Sequence, residues 1–71
     1  MIDQELMGRS AIVRDPNGQI RSGVVVAIVQ DGPCVYAYVE DDGWPPSNAT
    51  SKGLVYRAAV DGSGFRLEAE L

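Results

Sequence analysis

Residues 15–29 read Asp15-Pro16-Asn17-Gly18-Gln19-Ile20-Arg21-Ser22-Gly23-Val24-Val25-Val26-Ala27-Ile28-Val29, a turn followed by an apolar run that does not alternate. A proline and an Asn-Gly pair within four residues signal a tight reverse turn. The run behind them is dominated by β-branched residues, which favour strands. A strand with one wet face alternates apolar and polar side chains, because successive side chains point to opposite faces. From Val24 to Val29 neither parity carries a polar residue, so both faces of this strand need cover. One face belongs to a core. The other needs the long loop, the N-terminal turn or a second subunit. Gly23, inside the run, is expected to mark a bulge or bend that lets one long strand serve two halves of a curled sheet.

The same punctuation recurs along the chain. Asp31-Gly32-Pro33 forms a second turn signal, Asp42-Gly43-Trp44-Pro45-Pro46-Ser47-Asn48 opens a long loop that closes near Lys52-Gly53, and Asp61-Gly62-Ser63-Gly64 is the last. Between these signals the spacing predicts strands over 10–15, 19–30, 34–40, 54–60 and 65–70, with one helical turn over 3–7 capped by Asp3. Short strands at this spacing read as a small sandwich or barrel, and 71 residues read as one all-β domain over 1–71. In the last strand Phe65, Leu67 and Ala69 oppose Arg66, Glu68 and Glu70, a half-exposed pattern. The third strand sets Cys34, Tyr36 and Tyr38 against Val35, Ala37 and Val39, so it too is apolar on both faces.

A domain this small buries only about 60% of the surface its unfolded chain exposes, and such scaffolds add disulfides, a metal or self-association. One cysteine and no histidine leave no intrachain disulfide and no closed zinc site, so no metal and no cofactor are expected, and self-association into a homo-oligomer is the remaining route. No stretch approaches a membrane span or a secretory leader, which reads as a cytoplasmic chain with Cys34 reduced and the Asn48-Ala49-Thr50 sequon unused. The net charge of −4 argues against general binding to a phosphate backbone. The arginines Arg9, Arg14, Arg21 and Arg57 still define a local patch for a nucleic-acid reading.

Met7-Gly8-Arg9-Ser10-Ala11-Ile12-Val13, the hairpin and long strand from Asp15 to Ile28, and Val35-Tyr36-Ala37-Tyr38-Val39-Glu40-Asp41-Asp42-Gly43 together resemble the SH3-like small barrels of the Tudor and KOW type. The resemblance covers roughly residues 6 to 43 and part of the fourth strand, and rests on glycines, turns and alternation. It implies a five-stranded SH3-like barrel with one long loop. Members of that superfamily bind methylated side chains, peptides, RNA or other proteins. The aromatic cage of methyl-binding Tudor domains is partly built from the first loop, and Pro16-Asn17-Gly18 has no aromatic residue. Gly53-Leu54-Val55-Tyr56 is similar in position to the pore-lining strand of the small plasmid-encoded dihydrofolate reductases. Their Val-Gln-Ile-Tyr motif is absent here, so no catalytic residue is carried over.

The candidate contact residues are Trp44, Tyr36, Tyr38, Tyr56, Val25 and Ala27. Trp44 is either a lid over the second apolar face or a partner contact, and Pro45-Pro46 stiffens its loop for either role. Tyr36, Tyr38 and Tyr56 on facing strands either line a shallow groove or simply form the barrel wall. Glu40-Asp41-Asp42 reads as a solvated turn, Cys34 as a buried packed thiol, and Asp61-Gly62-Ser63-Gly64 as a hairpin turn. The expected function is a non-enzymatic protein-binding or adaptor module. Nucleic-acid binding through the arginines comes second, and an enzyme with a site formed between subunits comes third.

Overall fold

The computed structural model describes residues 4–62 and 64–71. Five strands follow in order: β1 (Ser10–Arg14), β2 (Ile20–Asp31), β3 (Cys34–Asp41), β4 (Val55–Asp61) and β5 (Gly64–Glu70). Each end lies within one residue of its expected position. A 3-10 turn, Gln4–Leu6, occupies the expected helical turn, whose proposed cap Asp3 lies outside the described residues.

Local chemistry makes each hairpin. At the first, the Asp15 carboxylate oxygen Oδ1 accepts hydrogen bonds from the backbone N–H of Asn17 (2.9 Å) and Gln19 (2.8 Å), and Gly18 takes a φ of +83°. At the second, Asp31 pairs with Cys34 across Gly32-Pro33, and Gly32 has a φ of +60°, the positive value that two-residue hairpin turns need. The last hairpin pairs Asp61 with Gly64; Ser63 lies outside the described residues.

These hairpins set β1 to β4 and β5 side by side, each antiparallel to the one before, in the order β1-β2-β3-β4-β5. An odd number of strands laid up and down leaves the last running in the same direction as the first. When the sheet closes, that pair must be parallel, and β5 does meet β1 in parallel register, at Val13↔Phe65 and Arg14↔Arg66. Among the described residues two pairs hold this seam, against eight between β2 and β3.

The ring has little room inside. Its buried core is Ala11, Val13, Val25, Ala37, Val39 and Ala58, with Ile28, Val60, Phe65 and Leu67 packed against it. The expected bulge at Gly23 falls instead between Val25 and Ala27. This shift explains the missing alternation. Gly23 and Val25 point inward, the bulge resets the parity, and Ile28 points inward next, so Val24, Val26 and Val29 stand outside. Gly23 serves a different purpose: a Cβ there would lie 2.2 Å from the Glu40 carbonyl oxygen, so its absence lets β2 and β3 cross closely.

The long loop between β3 and β4 carries a 3-10 helix, Pro46–Ser51, that was not expected. Pro46 at its start has a backbone already set for a helical turn, and the peptide bond before Pro45 is cis.

Candidate functional site

One end of the ring is closed by polar side chains. Asp41 continues the inward parity of Ala37 and Val39 along β3, and is 2% exposed. The Tyr56 hydroxyl, inward on β4 opposite Val39, donates to Asp41 Oδ2. Gly43 N–H donates to Asp41 Oδ1 at 2.6 Å. Arg21, opposite Val13 on β2, donates from Nη1 to the Tyr56 hydroxyl at 3.1 Å and pairs with Glu70 Oε1 at 3.0 Å. Its guanidinium also lies over the Tyr56 ring, 5.1 Å from the centroid, while its buried Nε has no hydrogen-bond partner among the described residues.

This cluster ties down the loop. The Asp41 N–H donates to the Leu54 carbonyl and the Asp41 carbonyl accepts from Gly53 N–H, so both ends of the loop meet at one residue. Buried Asn48 reaches from the 3-10 helix to the Ile20 carbonyl at 3.1 Å, and Ser22 N–H holds the Trp44 carbonyl. Burial, reinforced by the bond to Asp41, pushes the Tyr56 hydroxyl pKa up, which keeps it a neutral donor. The hydrogen bond to Tyr56 holds the Arg21 guanidinium above its ordinary value despite burial.

Several expected contact residues are therefore spoken for. Tyr56 is fully buried and faces away from Tyr36 and Tyr38, so the three do not share a groove. Val25 is a core residue, turned inward ahead of the bulge. Neither is open to a partner. Asp41 is no solvated carboxylate, although Glu40 and Asp42 beside it are exposed. Cys34 is exposed rather than packed, because it starts β3 at the projecting hairpin tip. In the arginine patch, Arg21 is committed to Tyr56 and Glu70, and Arg57 lies over the Tyr36 ring at 4.9 Å; Arg9 and Arg14 are exposed.

What remains outside is an apolar strip. Val24, Val26 and Val29 are exposed along β2, beside half-buried Ala27 and, on β3, half-buried Tyr38 and Tyr36. Ala27 pairs with Tyr38 and Val29 with Tyr36, so the strip continues across two strands. The Cys34 side chain beside it pushes the Tyr36 hydroxyl pKa up. Trp44 is 56% exposed. Beyond Val25, whose backbone bonds to Gly8 and Arg9, β2 pairs with β3 alone among the described residues. Its far half is thus an edge carrying exposed valines. The ring also has a cavity of about 480 Å³ at the seam between β1 and β5.

Among the described residues no group of three or more Cys, Asp or Glu side chains is placed to hold a metal ion, and no helix is long and apolar enough to cross a membrane. Comparison with family models, curated proteins and solved structures returns no match for this chain.

Proposed function

We propose that this chain is an SH3-like small barrel that works as a non-enzymatic protein-binding module, and that it self-associates through the outer, unpaired half of β2. The observation that carries this reading is the coincidence of two features on residues 26–31: a strand edge without a neighbour among the described residues, and exposed Val26 and Val29 on that edge. Unpaired edges offer a row of backbone donors and acceptors to a second strand, and proteins that stay monomeric blunt them with charge or proline. Here the only charged residue of the segment is Asp31, at its end. Half-buried Tyr36 and Tyr38 extend the apolar surface from the edge onto β3. Trp44, on the tethered loop, is a further contact for a protein partner.

Sedimentation equilibrium tests the assembly. The expected result is a concentration-dependent oligomer that Val26→Lys and Val29→Lys convert to a folded monomer, as judged by an unchanged circular dichroism spectrum. A parent protein that stays monomeric at concentrations on the order of 1 mM, where even weak pairing with free energy near −4 kcal/mol is visible, overturns it.

A further inference from the structure

The seam between β1 and β5 is where the ring is least closed. Among the described residues Val13↔Phe65 and Arg14↔Arg66 pair there, and beside them lies the cavity of about 480 Å³, within the size range of small-molecule sites. Its lining combines apolar and charged groups. Ala11 and Phe65, which belong to or pack on the core, line it together with Ile12. Arg14 and Arg66 line it too, exposed and directly opposite each other in the parallel register.

Two like charges brought together across a strand pair repel, which is an unfavourable arrangement. It is more notable in a chain whose net charge is −4, where carboxylates outnumber cations. Arg66 has one loose ion pair, at 3.6 Å to exposed Glu68, and that pair gains little in water. Asp15, next to Arg14, has one carboxylate oxygen committed to the turn, and Asp15 and Asp61 at the rim of the cavity offset part of the positive charge without lying between the paired arginines in the register. An oxyanion between the two guanidinium groups would relieve the repulsion with charge-assisted hydrogen bonds.

We infer that the β1–β5 seam binds a small molecule bearing a single oxyanion group, with the anion on Arg14 and Arg66 and an apolar body against Phe65 and Ile12. A polymer of phosphates fits less well, because Asp15 and Asp61 from two different segments border the same cavity and repel a continuing anionic chain. This site is independent of the β2 edge.

The test is a backbone amide NMR titration of the full chain with phenyl phosphate, run beside inorganic phosphate and phenol. The expected result is saturable shifts confined to residues 10–15 and 61–66 with phenyl phosphate, and weaker binding of either fragment alone. Arg14→Gln and Arg66→Gln each weaken binding roughly tenfold, the loss that removing one charged hydrogen-bond donor produces. Arg9→Gln, an exposed arginine outside the cavity lining, leaves it unchanged. Absence of saturable shifts, an equal loss in Arg9→Gln, phosphate binding as tightly as phenyl phosphate, or tighter and steeply salt-dependent binding of a single-stranded oligonucleotide would each overturn the inference.

Discussion

At Gly23 the backbones of β2 and β3 come so close that an added methyl group meets the Glu40 carbonyl at 2.2 Å and a Val39 methyl at 2.7 Å. Neither a backbone carbonyl nor a buried valine can step aside cheaply. Gly23→Ala is therefore expected to lower the unfolding free energy by about 3 kcal/mol, the upper end for overpacking a core, measurable by urea denaturation. A loss under about 0.5 kcal/mol, typical of an uncrowded surface site, would mean the strands have slack there. Tyr56 is the second residue on which much rests. Tyr56→Phe leaves buried Asp41 Oδ2 without its Tyr56 donor and Arg21 with Glu70 but without the hydroxyl acceptor, at an expected cost of about 1–3 kcal/mol. The pH dependence has a definite sign. Because the folded pKa of Tyr56 is raised above its ordinary value of 10.0, its contribution is complete below about pH 10 and is lost as pH rises through the folded value. The parent protein should lose stability above pH 10 more steeply than Tyr56→Phe, as thermal melts across pH 8–12 would show. Parallel curves for the two proteins would contradict this account. Asp41 itself was legible in part: it follows Ala37 and Val39 at period two, which puts it inside, but its place in Glu40-Asp41-Asp42 makes it look like part of a wet turn.

Among the elements, the first hairpin is specified almost wholly by local chemistry. Asp15 caps its own turn through two backbone bonds, so Asp15→Ala should cost about 1 kcal/mol by chemical denaturation without altering the strand register. A change in register, seen as altered cross-strand proton contacts between β1 and β2, would show that the side chain does more than close the turn. The β3–β4 loop is the opposite case. Its tethers come from residues distant in sequence, with Asn48 on the Ile20 carbonyl and Trp44 held by Ser22, and no local pattern announces them. Asn48→Ala is expected to speed amide exchange within residues 42–54 while leaving β2 and β3 protected. Uniform acceleration through the whole chain would instead make Asn48 part of the global fold. β2 lies between these extremes: its apolar composition shows in sequence, but the inward set depends on where the bulge falls.

For the whole molecule, the uneven ring predicts uneven stability. β3 is flanked by β2 along its length and by β4 from Tyr36 to Glu40, while among the described residues β1 and β5 share two residue pairs. Native-state hydrogen exchange should therefore find the slowest amides in β3 and the faster opening in β1 and β5. Protection of β5 equal to that of β3 would show that the seam is as strong as the rest of the ring. The two proposed surfaces follow the same unevenness: among the described residues the outer half of β2 has no neighbour on one side, and a gap lies between β1 and β5.

By itself the sequence determined five strands, their ends and their hairpins, because turn residues and β-branched runs act over a few neighbours. It also showed that β2 carries more apolar surface than one face can use. Only the tertiary structure decided which valines are inside, since a one-residue bulge reverses every side chain beyond it and two different cross-strand registers read alike in sequence. Only closure of the ring brought Arg21, Asp41, Tyr56 and Glu70 to one end and set Arg14 beside Arg66, because these residues are joined by pairing across strands rather than by proximity along the chain.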